Sequence, residues 1–294
     1  MKLIKEQYLT GERTLFQSTD CTIQDSIFGD GESPLKESRQ IEIYNSIFKW
    51  KYPLWYCHDI KVENTTLLGT ARSGIWYTHH IAISHSTIEA PKTFRRSSHI
   101  TLNDVDIPLA LESFWNCQHI SLHNVTARGD YFGMNSENIQ IQNLHLTGNY
   151  CFDGSKNMEV RNSRLISKDA FWNCENVVVY DSTIIGEYLG WNSKNITFIN
   201  CTIESLQGLC YIENLKLVNC KLINTTLAFE FCENIDADIC SRISSITNPI
   251  SGVIKSEGID EIILDKDKID PERTIIMTKE PVVYQEETQN IMNC

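Results

Sequence analysis

Alanine is scarce in this chain: eight residues of 294. A large helical protein draws heavily on Ala, Leu and Glu, so the shortage argues against helices as the main element. Cations are few as well, with 26 Lys+Arg against 38 Asp+Glu and a formal net charge of −12. A surface this acidic repels phosphates, which excludes a broad nucleic-acid footprint. Nowhere do eighteen apolar residues run together, so no membrane-spanning helix is expected. Met1 to Leu15 contains Lys2, Lys5, Glu6 and Arg13 and therefore holds no apolar signal core. A Cys-x-x-Cys pair, a Gly-rich phosphate loop and a Gly-x-Ser-x-Gly elbow are also missing, which removes the local signatures of redox, nucleotide and α/β-hydrolase chemistry.

What is abundant points the other way. The chain has 37 Ile and 23 Asn. Ile favours strands, whereas Asn belongs to turns and to side-chain hydrogen bonding. Eleven cysteines, an odd number without an export signal, read as reduced thiols and a cytoplasmic location.

The pattern apolar-x-apolar-x-Asn-small-x-apolar recurs almost throughout. Its first position falls at Cys21, Ile41, Ile60, Ile81, Ile100, Ile120, Ile139, Met158, Val177, Ile196, Leu215 and Ile235, at intervals of 19 to 21 residues. Period-two alternation puts the first and third positions on one face of a short strand. No strand in such a turn can bury that face alone, so successive turns must stack in parallel about 4.8 Å apart. A leucine-rich repeat has a similar period but needs a helical or 3-10 return, whereas the return arcs here read Phe-Trp-Asn-Cys or Leu-Gly-Trp-Asn. The expected fold is all-β: a single-stranded parallel β-helix of about 12 turns, right-handed by the general crossover preference and by the family resemblance given below. Residues 15–240 form the coil, 1–14 a cap over its first edge, and 241–294 a second capping or covering segment. That segment, or a second subunit, is expected to cover the apolar side made by Val178, Tyr180, Ile199 and Val218.

Several columns read as structural. Asn45, Asn64, Asn124, Asn143, Asn162, Asn200 and Asn219 lie four residues after the anchor, and Asn138, Asn157, Asn176, Asn195, Asn214 and Asn234 lie just before it. A stacked amide donates to one turn and accepts from the other. Cysteines fill two further columns, at Cys57, Cys117, Cys174 and Cys232 and at Cys201, Cys220 and Cys240, where small polarizable thiols suit the interior. His80, His99 and His119 precede the Asn column in register and read as its members. No metal site and no cofactor is assigned.

With these columns, the stretches Glu32-Ser33-Pro34-Leu35-Lys36-Glu37 and Phe48-Lys49-Trp50-Lys51-Tyr52-Pro53-Leu54-Trp55-Tyr56, and the arc Phe171-Trp172-Asn173-Cys174, the chain resembles the pectin-lyase-like superfamily of right-handed parallel β-helices. More narrowly, it is similar to a bacterial family of such helices catalogued as a domain of unknown function. The resemblance covers nearly the whole chain. It implies the fold and little about activity, since superfamily members that act on polysaccharides do so in a groove outside the helix, and one fold hosts many functions.

The candidate site is an outward column five residues before the anchor. It carries five of the six tryptophans: Trp55, Trp76, Trp115, Trp172 and Trp191, with Arg95 among them. Flat rings at strand spacing suit sugar rings or a protein partner. They could equally stack on one another and shield the helix side. Asp130, Asp153 and Asp169 lie in or near this column, and a glycoside hydrolase or polysaccharide lyase would need such carboxylates close together. Three function classes follow: carbohydrate binding along the Trp column, a polysaccharide-acting enzyme using the three aspartates, and a scaffold whose aromatic face meets a protein, including another copy of itself. No nucleic acid or membrane partner is expected.

Overall fold

The computed structural model describes residues 2–280 and the backbone of Tyr284–Gln285, so the last part of the expected segment 241–294 lies outside the described residues. The chain forms two compact units, Met1–Ile166 and Ser167–Cys294. Among the described residues there is no α-helix, and Pro271–Arg273 makes a 3-10 turn.

In the first unit the anchor strands are Lys2–Lys5, Thr19–Gln24, Arg39–Tyr44, His58–Glu63, His79–Ile88, Ser98–Ile107, Gln118–Arg128, Glu137–Thr147 and Lys156–Arg161. Each pairs in parallel with the next, in the register read from the repeat: Ile41 faces Ile60, Ile100 faces Ile120 and Ile139 faces Met158. The anchor residues from Cys21 onward are buried, as are the apolar residues two positions later. The inward column six residues before the anchor is filled by Leu54, Ile75, Phe94, Phe114 and Phe152. Phe94 and Phe114 stack with centroids 4.4 Å apart. Burying one such side chain contributes roughly 1.5–3 kcal/mol, and the column repeats that gain at every turn.

Each turn also bends through left-handed residues, and the structure shows how the freed backbone groups are satisfied. Tyr56, Tyr77, Arg96, Asn116 and Asn135 all have φ between 49° and 56°. The residue after each has an N–H that leaves the ladder and points into the core. A buried hydroxyl from the following turn receives it: Cys57 N donates to Thr78 Oγ1 at 3.2 Å, Thr78 N to Ser97 Oγ at 3.1 Å, and Cys117 N to Ser136 Oγ at 3.0 Å. The same hydroxyl donates back to a carbonyl of the preceding turn, as Ser136 Oγ does to Phe114 O at 2.6 Å. Thiols substitute in this column, Cys57 Sγ reaching Leu35 O at 3.0 Å. The cysteine columns of the sequence are therefore hydroxyl-or-thiol columns that close buried corners. A second one runs through Ser26, Ser46, Thr65 and Ser86.

The outer corner is lined by amides. Asn64 Nδ2 donates to Asn45 Oδ1 at 2.7 Å, and Asn143 Nδ2 donates to Asn124 Oδ1 at 2.8 Å. These residues also sit at positive φ, where Asn is better tolerated than most side chains.

The second unit repeats the design with Glu175–Tyr180, Lys194–Ile199, Glu213–Leu222, Ile235–Ile239, Gly252–Ser256 and Thr274–Thr278. About fifteen turns result rather than twelve. The additional rungs are Lys2–Lys5, Gly252–Ser256 and Thr274–Thr278, whose anchor positions hold Lys2, Gly252 and Thr274 in place of an apolar residue. The backbone ladder continues where the side-chain signal has faded. The segment after Cys240, expected to fold back across the helix side, instead stacks on the open edge of Ile235–Ile239, as far as it is described. An unpaired edge exposes a whole row of N–H and C=O groups, and a further parallel strand satisfies them in a way that a covering strap does not. Val178, Tyr180, Ile199 and Val218 are half-buried.

Candidate functional site

In the first unit, Ile75–Trp76 and Phe94–Arg95 pair as short strands, and Arg95 bridges to Trp115. With Phe94 inward, alternation turns Trp76, Arg95 and Trp115 outward, and Trp55 follows in the same column. The rings lie over one another. Trp55 and Trp76 stack at 5.2 Å and 8°, and the Arg95 guanidinium sits 4.8 Å from the Trp76 ring and 4.5 Å from that of Trp115. Arg95 Nη2 donates to Glu112 Oε2 at 3.0 Å, and Lys92 Nζ lies 3.1 Å from Glu112 Oε1. Every indole N–H in this stack is used internally: Trp55 donates to Ser73 O at 2.6 Å, Trp76 to Lys92 O at 2.8 Å and Trp115 to Tyr131 O at 2.7 Å. All four side chains are half-buried, and the indole faces pack against one another or against Arg95. The next column adds Tyr56, 47% exposed, stacked on Tyr77 at 4.7 Å, with Arg96 over Tyr77. Tyr131 and Tyr150 form a further stack at 4.9 Å.

The remaining expected platform residues belong to the second unit. Trp172 donates its N–H to Tyr188 O at 3.1 Å, and its ring tilts against Trp191 at 6.0 Å. Trp191 packs on Tyr211 at 4.7 Å. The platform within each unit is therefore a self-stacked ladder.

The three carboxylates do not share one column. The side chain of Asp130 accepts from Asn149 N at 2.7 Å. Tyr131 N donates to Asn149 O and Asn135 N to Asp153 O, so the register sets Asp153 beside Met134 and Asn135, farther round the turn than Asp130. Asp169, in the second unit, is 2% exposed. A buried carboxylate does not meet a polymer lying on the outer surface.

The histidines form a separate face. His80, His99 and His119 stack with centroids 4.5 and 4.6 Å apart. Burial, then His58 and His80, hold the His79 imidazolium below its usual range; burial, then His80, His119 and His79, do the same for His99. At the first end of the stack the column continues as Asp59, with His58 beside it. Sequence reasoning passed over these two by following the histidine column alone. The signal was present, since Asp59 occupies the His80 position one turn earlier.

The fold and these outward ladders define a parallel β-helix protein with an aromatic face. A family model described as "Protein of unknown function (DUF3737)" matches residues 2–277, and the chain belongs to that family. No curated protein matches this chain. Solved structures similar to it include PfbA, a surface adhesin of Streptococcus pneumoniae, at 9% identity and a TM-score of 0.44, covering 91% of this chain and 85% of that one. The tailspike protein mutant D339N of E. coli bacteriophage HK620, in complex with a pentasaccharide, matches at 8% identity and 0.40, covering 92% and 70%. The A-module of mannuronan C-5 epimerase AlgE4 from Azotobacter vinelandii matches at 10% and 0.29, covering 92% and 83%. Among the described residues no helix is long and apolar enough to cross a membrane.

Proposed function

We propose that the protein is a binding module whose aromatic–cation face in the first unit receives an elongated ligand, with a glycan chain as the ligand class. The observation that carries this reading is the outward run Trp55, Trp76, Arg95 and Trp115 flanked by Tyr56 and Tyr77, fixed at rung spacing in a rigid ladder. Pre-stacked rings lose little side-chain entropy when a ligand docks. The edges of Trp and Tyr offer apolar contact, while Arg96 and the Tyr56 and Tyr77 hydroxyls offer hydrogen bonds to sugar hydroxyls.

A second reading, self-association or protein contact through the same face, rests on a specific observation. Ring faces that would stack on sugars are already occupied by neighbouring rings, and the indole N–H groups are spent on backbone carbonyls. Catalysis by Asp130, Asp153 and Asp169 is the weakest of the three readings, given the register of the first two and the burial of the third. Ten free thiols among the described residues suit a reducing, cytoplasmic compartment, where a glycan ligand would be intracellular.

A glycan array probed with the wild-type protein and with Tyr56→Ala and Arg96→Ala separates the two leading readings. Glycan binding weakened about tenfold or more by either substitution supports the first. No glycan binding, together with a mass by light scattering that rises with concentration and falls back in the same variants, replaces it with the second.

A further inference from the structure

We infer that His58, Asp59 and His80 form a surface site for a borderline transition-metal cation such as Zn²⁺, Ni²⁺ or Cu²⁺. Their ligand atoms all lie within 4.8 Å of one another. His80 Nδ1 stands 3.3 Å from His58 Nε2 and 3.5 Å from Asp59 Oδ1. Ligands about 2.0–2.1 Å from a tetrahedral zinc are separated by roughly 3.3–3.4 Å, so these two separations match edges of such a coordination shell.

Asp59 faces both imidazoles. Its Oδ2 lies 2.8 Å from His58 Nδ1 and its Oδ1 3.5 Å from His80 Nδ1, so one carboxylate reaches both rings while His58 Nε2 stays turned toward His80. In many metal sites the orienting carboxylate is a separate outer residue. All three side chains are about half exposed, so a fourth position opens to solvent. Two imidazoles with one carboxylate suit borderline metals, whereas Ca²⁺ and Mg²⁺ prefer oxygen-only shells.

The backbone holds the group rigidly. Asp59 and His80 occupy the same left-handed corner on successive turns, at φ 55° and 56°, and His58 pairs with His79 in the parallel ladder. Asp20 and Glu42 line the same shallow groove and add negative potential. Lys61 also borders it, but its ammonium lies 3.2 Å from Glu63 Oε2 and 3.3 Å from the Tyr44 hydroxyl. Farther along the column Asn138 and Asn157 take the histidine position, so the corner does not require imidazole.

The test is titration of the full-length protein with Co²⁺ and Zn²⁺, read by cobalt visible absorption and calorimetry. One equivalent is expected to bind with the intense visible bands of four-coordinate cobalt, and Ca²⁺ is not expected to compete. His80→Asn, the residue this column uses elsewhere, should weaken binding by at least about tenfold, and Asp59→Asn by a similar factor. His119→Asn, at the other end of the stack, should leave it unchanged, and circular dichroism of each variant checks the fold. Absence of binding at millimolar metal, or binding that survives His80→Asn and disappears in His119→Asn, overturns the assignment.

Discussion

Ser136 offers the sharpest test of how the buried corners are held. Its hydroxyl accepts from Cys117 N at 3.0 Å and donates to Phe114 O at 2.6 Å, and the three residues are at most 1% exposed. Ser136→Ala leaves one buried N–H and one buried C=O without that partner. An orphaned buried group costs about 1–3 kcal/mol, partly offset because the hydroxyl no longer needs desolvation. A net loss of about 2–4 kcal/mol is expected, or a fall in Tm of roughly 3–7 °C for a protein of this size. Ser136→Cys keeps a donor and an acceptor in a column that already accepts Cys57, Cys117 and Cys174, and should stay within about 1 kcal/mol of the wild type. Ser121→Ala, on the outward side of the same region, serves as the control. Urea unfolding followed by Trp fluorescence and circular dichroism gives the comparison, provided m is unchanged. If Ser136→Ala falls within about 0.5 kcal/mol of the wild type, or if Cys is as damaging as Ala, the hydroxyl column is not what holds the corners.

Three other outcomes follow from the same columns. Asn143→Val removes an amide rung and forces a β-branched residue to φ 57°, so a loss of about 2–3 kcal/mol by urea unfolding is expected, with Asn143→Gly milder. Burial pushes Cys57, Cys117 and Cys210 up to about 12, above their ordinary value of 9.0. Folding therefore favours the protonated thiols: their contribution is complete below pH 9 and is lost as pH rises toward 12, by up to about 1.4 kcal/mol per pH unit for each thiol. Cys117→Ser should flatten that slope, and in the native protein a thiol reagent at pH 8 should modify Cys240 and no other described cysteine. Arg95→Ala removes the cation held between Trp76 and Trp115; a loss of about 1–2 kcal/mol and a red-shifted Trp emission are expected, while an unshifted spectrum would mean the rings do not depend on it.

The anchor register was legible because nothing else explains apolar pairs returning every nineteen or twenty residues, and Ile100, Ile120 and Ile139 do stack as that spacing demands. The outermost rungs were not legible. Lys2, Gly252 and Thr274 occupy anchor positions without an apolar side chain, and there only the position two residues later stays apolar, at Ile4, Ile254 and Ile276. The Ser/Thr column escaped because its cysteine members were read as packing and its serines as ordinary polar residues, although both types sit at one position of the repeat. For the candidate site, alternation placed the tryptophans outward. Whether their faces would be free depends on χ angles and neighbour stacking, to which period-two patterning is blind. Asp169 shows the same limit, since its place in the arc gave no sign that its carboxylate is buried.

The measurement that bears most directly on the stacked-rung architecture is a methyl-to-methyl nuclear Overhauser experiment on protein labelled at Ile and Met methyl groups. Ile81, Ile100, Ile120, Ile139 and Met158 face one another in sequence along the first unit. Cross-peaks are expected between each consecutive pair, at a rung spacing of about 4.8 Å, and weaken sharply for pairs two rungs apart. Strong peaks linking Ile81 to Ile120, or none between Ile120 and Ile139, would contradict the parallel register on which every surface assignment rests.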